Sequence, residues 1–316
     1  MANLRSTDGA VLKFKMDELL GTSDGYINHS NFLFHYAKAE TALAYVLRSK
    51  TLKFNALGST NDPLENNPLV HVGTRNVPTD ENGSTITEGY QLRALTDERK
   101  KGKLACFCVT PESKKISGLF DWGCFRSRMW SQYADRHRGV CLVFSKSELL
   151  VAVNEWTCEK DIEFFDGRVV YNNKLEKLRE AIAVSEAELP SARIKRHHEG
   201  YYFCKREDYR DEAEYRAVVY CPDLLPENVA YIPYKESLRG IILGAEFPRE
   251  NNDLFIEEAR SLDIALAQVE WYSDPIFRTV DSCWLPLHWK NCWRILFRLK
   301  HKLTSYFKYR SCRAAA

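Results

Sequence analysis

In YRDEAEYRAVVY, residues 209–220, Glu212, Glu214 and Arg216 fall at every second position. On a strand, residues i and i+2 share a face, so two carboxylates and a guanidinium are expected in one row if the strand reaches back to Glu212. On an exposed face such a row is ordinary, and an acid beside a base contributes about 0–1 kcal/mol there. In a recess it can do chemistry. Carboxylates suit Mg²⁺, and Asp62, Glu65, Glu212 and Glu214 together could serve a metal-dependent nuclease. A lysine is expected beside the second acid of such a site, and Arg216 stands there instead.

Three other segments carry unusual residue sets. His35 stands beside Tyr36 in the apolar run NFLFHYA. Asn61, Asp62, Pro63 and Glu65 share one loop, for which an Asx-type turn is the plain reading. Trp130, Tyr133 and His137 lie at i, i+3 and i+7, which puts them on one face of an expected helix, either as core aromatics or as a binding face. The glycine-rich phosphate cradles, the G-x-S-x-G elbow and H-E-x-x-H are absent. His197 and His198 are adjacent and would diverge on a helix, so they make poor metal ligands together; they, His29 and His71 are read as structural or solvated.

The elements that must position these residues follow from apolar spacing and turn residues. Strands are expected at 31–37, 51–54, 103–110, 139–144, 167–171, 231–235 and 238–244, as well as over the end of the opening stretch. Helices are expected at 39–50, 125–139, 174–189, 194–207 and around 251–262. Residues 55–68 read as a turn-rich loop, 73–103 as an exposed polar excursion, and 268–280 as the close of the body. The irregular mixture of short strands and helices points to an α+β fold.

The 316 residues are 45% hydrophobic and 28% charged, as in a soluble globular protein with a sizeable core. The ten cysteines include no C-x-x-C pair, which fits neither a zinc site nor a disulfide framework. A reducing, cytoplasmic setting is expected, with no signal peptide and no spanning segment. The net charge of +2 hides a step, because residues 282–316 hold eight Lys or Arg and no acid. The chain is therefore divided into a globular domain, 1–281, and a basic amphipathic tail, 282–316. Trp289, Cys292, Trp293, Leu296, Leu299, Leu303 and Tyr306 make an apolar helical stripe beside a basic row. For residues 284–313 that pattern suits an anionic membrane surface, or docking on the acidic body or a partner.

Taken in order, His35-Tyr36, Asn61-Asp62-Pro63-Leu64-Glu65, Cys106-Phe107, Met129-Trp130…Tyr133-Ala134…His137…Gly139, Lys205…Tyr209…Glu212-Ala213-Glu214-Tyr215-Arg216 and Ile241-Ile242-Leu243-Gly244 resemble a bacterial family, domain-of-unknown-function family 2971. The resemblance spans about residues 31–280; Tyr209 stands where that family usually has Trp. A His-Tyr first strand, a helix and a late strand bearing Glu-x-Glu also look like the layout of ADP-ribosyltransferases. That layout implies an ADP-ribosyltransferase-like mixed sheet core with inserted helices, and NAD as substrate. It implies Glu214 at the scissile nicotinamide–ribose bond and Glu212 at the acceptor. NAD would be held by His35, Tyr36, Asn61, Asp62, Trp130, Tyr133, His137 and Arg216. The bond breaks through an oxocarbenium-like state that a carboxylate stabilises. The acceptor stays open between protein, nucleic acid and water. A magnesium nuclease and a non-catalytic nucleotide- or partner-binding module are the alternatives.

Overall fold

The structure, a computed structural model, describes residues 31–60, 62–66, 85–110, 122–183, 188–220, 229–272, 276–278 and 280. Asn61 and the basic tail, both singled out above, lie outside them. Twelve strands are described: β1 (Phe32–Ala37), β2 (Thr51–Ala56), β3 (Lys103–Cys108), β4 (Val140–Ser145), β5 (Glu163–Arg168), β6 (Val170–Tyr171), β7 (Cys204–Lys205), β8 (Glu214–Tyr220), β9 (Val229–Pro233), β10 (Leu238–Leu243), β11 (Ala265–Glu270) and β12 (Ile276–Arg278). The described helices are α1 (Ala39–Ala42, continuing as a π turn over Leu43–Leu47), α2 (Pro63–Asn66), α3 (Thr85–Lys100), α4 (Ser127–Tyr133), α5 (Lys146–Cys158), α6 (Glu176–Ala183), α7 (Pro190–Arg196), α8 (His198–Tyr202) and α9 (Asn252–Ser261). This is a mixed α+β fold around a large, mostly antiparallel sheet.

Ten strands form that sheet in the order β12-β11-β10-β4-β1-β3-β2-β9, and β8 and β5 branch from β3. The branch fixes the site. One edge of β3 pairs with β8 along its whole length, Lys103↔Val219 to Cys108↔Glu214. The other edge is divided: β1 meets it only at Phe34↔Cys108, and β2 only at Asn55 and Ala56, opposite Leu104 and Lys103. Between those contacts β1 and β2 diverge from β3, and the sheet forks around Ala105–Phe107.

Strand alternation sorts the core into two faces. Leu33, Ala37, Phe107, Leu142, Phe144, Tyr215, Ala217 and Val219 pack on one face with Leu149 and Val153 of α5 and Phe255, Ile256 and Ala259 of α9. The opposite face carries two clusters. In one, Phe34, Tyr36, Cys108, Cys141 and Val143 pack with Met129 and Trp130 of α4. In the other, Leu104, Val218 and Tyr220 pack with Leu95, Leu178, Ile194, Tyr201 and Tyr202. Glu214 and Arg216 lie on this face, at the seam between the two clusters.

The structure corrects four expectations. Residues 85–100 of the expected excursion form a helix, α3. Its buried residues include Thr96 and Arg99 beside Leu95, so no apolar period marks it; Arg99 Nε instead donates to Tyr201 O at 2.9 Å. The helix expected over 125–139 ends at Tyr133, because Asp135, Arg136 and His137 all have left-handed φ, 46°, 54° and 69°. The close packing of Gly244 on His137 O, which a Cβ would obstruct, belongs to the same turn. The helix expected over 194–207 is two short helices followed by β7. The helix expected over 174–189 is described only over Glu176–Ala183, and Pro190, expected to end it, opens α7 instead.

Candidate functional site

The strand bearing the acid row begins at Glu214, so Glu212 is not on it. Glu212 closes a 3₁₀ turn, Glu207–Glu212, and Ala213 follows with φ 41°, ψ 53°. A left-handed alanine costs about 1–2 kcal/mol; here the bend seats Ala213 O under Val109 N–H at 2.9 Å. It also brings Glu212 back toward Glu214 by a route other than strand alternation.

The two acids meet through Lys205 at the end of β7. Lys205 Nζ donates to Glu212 Oε2 at 2.7 Å and to Glu214 Oε2 at 2.9 Å, and it lies 4.9 Å from the centre of the Tyr209 ring. At 2.7 and 2.9 Å from one nitrogen, the two carboxylate oxygens are no more than 5.6 Å apart. Arg216, fully buried, grips Glu214 with a fork: Nε to Oε1 at 2.7 Å and Nη2 to Oε2 at 3.1 Å. Its Nη1 donates to Tyr202 O at 2.6 Å and lies 2.5 Å from Glu65 Oε1, an ion-pair contact without hydrogen-bond alignment. Glu65 is the third residue of α2, which opens at Pro63 beside Asp62, so this short helix and not a loop supplies the far end of the charge chain. At the near end, Tyr133 OH of α4 donates to Glu212 Oε1 at 2.7 Å. Charges buried this deeply persist only when paired, and here carboxylates and cations alternate from Glu65 to Glu212.

Burial pushes the Glu214 carboxyl upward, but Arg216 and then Lys205 outweigh it and hold its pKa at about 2. Burial lowers the Lys205 ammonium, yet the carboxylates, Glu214 foremost, raise it above its ordinary value. Glu214 is thus a fixed anion and Lys205 a fixed cation at neutral pH. Burial, then Glu214, raise the neighbouring Cys106 thiol well above its usual range, which removes it as a nucleophile.

Glu212, Glu214 and Lys205 form one wall of a cavity of about 220 Å³ opened by the fork in the sheet. His35 and Tyr36 of β1 also line it, one from each face of that strand, with Asn55 of β2, Cys106 of β3 and Tyr133 of α4. His35 Nδ1 donates to Cys106 O at 3.0 Å, spanning the gap where β1 leaves β3. A carbonyl only accepts, so this bond places the proton on Nδ1 and leaves Nε2 an acceptor. Burial lowers the His35 pKa, which keeps the ring neutral. Tyr36 is anchored by OH to Gly123 O at 2.6 Å and stands edge-on to Trp130.

Of the residues expected to bind, His35, Tyr36 and Tyr133 line the cavity, as do Glu212 and Glu214. Arg216 stands behind Glu214 and Asp62 is buried near Tyr209. Trp130 and His137 do not line it. Trp130 is a core residue whose Nε1 donates to Cys124 O at 2.8 Å. His137 stacks on Trp130 by way of the left-handed turn, not helical spacing, and its Nδ1 accepts from Trp271 Nε1 at 3.3 Å. Lys205 was not among the expected site residues; its place in the Lys…Glu-x-Glu-x-Arg pattern is the signal that marks it. Among the described residues no group of three or more His, Cys, Asp or Glu side chains is arranged to hold a metal ion, and no helix is long and apolar enough to cross a membrane.

The class of protein defined so far is an α+β fold with a forked sheet and a cavity walled by paired acids. A family model described as "Protein of unknown function (DUF2971)" matches residues 129–217, the stretch that supplies Tyr133, Lys205, Glu212, Glu214 and Arg216. The match supports the resemblance to that family over this segment. No curated protein and no solved structure matches the chain.

Proposed function

We propose that the cavity binds the nicotinamide riboside end of NAD and that the protein cleaves the nicotinamide–ribose bond, on an ADP-ribosyltransferase-like core. The observation that carries this reading is the shared lysine: Lys205 and Arg216 keep two carboxylates fixed on the wall of a cavity that also holds His35, Tyr36 and Tyr133. The bond breaks with positive charge developing on the sugar, and a preorganised anion beside it stabilises that charge without reorganising. Glu214 is that anion. With oxygens at most 5.6 Å apart on one ammonium, the acids are too close for an inverting glycosidase pair, whose carboxyl groups stand about 6.5–9.5 Å apart; here both act from one side. Glu212, with fewer donors on it, orients the acceptor. His35 Nε2 accepts a ribose hydroxyl, and Tyr36 and Tyr133 border the ring. Nicotinamide leaves as a neutral base, so no strong acid is required.

The cavity is smaller than the range of about 300–1,000 Å³ that encloses drug-sized ligands, so the adenylate half lies beyond it. The magnesium nuclease reading is weaker: Lys205 already sits between Glu212 and Glu214, where a divalent ion would bridge them. Titration calorimetry with NAD, with nicotinamide riboside and with Mg²⁺ tests the reading. Heat from the first two and none from the metal is expected; heat from Mg²⁺ alone would overturn the assignment.

A further inference from the structure

Among the described residues, little of the acceptor side of the site is exposed. Glu212 and Glu214 are only 4% and 5% exposed. The turn that carries Glu212 is strapped to α4 at three points. Tyr133 OH reaches Glu212 Oε1, Arg126 Nη1 donates to Asp211 O at 3.1 Å, and Arg128 Nη1 donates to Asp208 O at 3.3 Å. Among the described residues, α4, its Arg128 and the preceding Arg126 pack on the outer side of the turn, so an acceptor reaches Glu212 from the cavity. The inner side faces the 220 Å³ cavity, which a pyridine ring and a ribose would fill. Glu212 Oε1 accepts from Tyr133 and Oε2 from Lys205, and a carboxylate has about four lone-pair positions. Two remain for a small donor.

We infer that the acceptor is water, so that the reaction is hydrolysis of the N-glycosidic bond and not transfer of ADP-ribose to a macromolecule. This rests on the cleavage proposed above and names its second substrate. A water molecule hydrogen-bonded to Glu212 gives one proton to that carboxylate as its oxygen bonds to the anomeric carbon. The carbon–nitrogen bond breaks, and its electron pair goes to the ring nitrogen. Neutral nicotinamide and ADP-ribose leave, and Glu212 returns the proton to solvent. Tyr133 and Lys205 position Glu212; Glu214 holds its charge against the sugar throughout.

The experiment gives the full chain NAD labelled in its adenylate phosphate, with a protein lysate, single-stranded DNA and RNA present as candidate acceptors. Nicotinamide, free ADP-ribose and label in macromolecules are measured together. Nicotinamide and free ADP-ribose rising one for one, with no label in protein or nucleic acid, is the expected result. Adding methanol should divert part of the product to the methyl glycoside, because methanol is small enough to take the place of water, whereas benzyl alcohol should not. Nicotinamide released in step with label on a macromolecule overturns the inference and leaves the cleavage reading standing. No nicotinamide at all, from a sample with a cooperative melt, removes both. The isosteric Glu212→Gln should lose free ADP-ribose production while keeping NAD affinity; equal loss of affinity would move Glu212 from the acceptor to substrate binding and sink the inference.

Discussion

Lys205 Nζ stands 2.7 Å from Glu212 Oε2 and 2.9 Å from Glu214 Oε2, so a single ammonium sets the spacing of two acids that reach it from different backbone conformations. Glu214 comes from the first residue of β8, and Glu212 from the last residue of a 3₁₀ turn one left-handed alanine away. Removing the lysine should therefore do more than delete one contact.

Lys205→Met leaves two buried carboxylates facing each other, and breaking a buried pair this way typically costs about 3–5 kcal/mol. Urea denaturation should show a loss of that size. Because the lysine and the acids form one network, the double variant Lys205→Met/Glu212→Gln should be less destabilised than the two single losses combined. Strict additivity would show that the three groups do not act together.

The stability conferred by Glu214 should have a defined pH window. Its folded pKa of about 2 lies below the ordinary glutamate value of 4.5. A depressed carboxyl contributes stability that is full above its unfolded pKa and lost as pH falls through the folded one. The shift corresponds to about 3 kcal/mol. Denaturation of the wild type and of Glu214→Gln should differ by about that much at pH 6, and the gap should close between about pH 4.5 and pH 2. A gap independent of pH would contradict the ion-pair assignment.

Much of the frame is legible in the sequence because it is local. FLFHYA, KLACFC, VCLVFS and LRGIIL are apolar β-prone runs, and each forms a strand. The fork at β3 is not legible, since it depends on two distant strands, β1 and β2, dividing one edge of β3. α3 is hidden by polar residues on its buried side, and the turn at His137 by three left-handed residues of types that carry no glycine signal. Strand and helix periods mark Tyr133, Glu212 and Glu214 in the sequence. Glu212 nonetheless reaches the site through a 3₁₀ turn and a left-handed alanine, not through the alternation that suggested it.

Tyr133→Phe removes one hydroxyl and keeps the ring on the cavity. The lost hydrogen bond to Glu212 should cost about 0.5–1.5 kcal/mol of stability. If Glu212 needs that bond for its orientation, turnover should fall with the NAD dissociation constant nearly unchanged. A fall in affinity with turnover unchanged would place Tyr133 in ring binding instead.

His35→Phe takes away both the Nδ1 bond to Cys106 O and the acceptor at Nε2. The expected outcome in calorimetry is weaker binding of nicotinamide riboside with no change toward nicotinamide itself, because the lost partner is on the sugar. Parallel weakening for both ligands would assign His35 to the ring and not to the ribose.

The most direct measurement is nicotinamide release from NAD, followed by chromatography, for the wild type and Glu214→Gln at pH 7 under conditions where both melt cooperatively. Loss of one preorganised charge typically lowers the rate by about 10²–10³. Release by the wild type with a drop of that order in the variant is the predicted result. A wild type that binds NAD yet releases nothing, or a variant that releases it at the wild-type rate, would contradict the account.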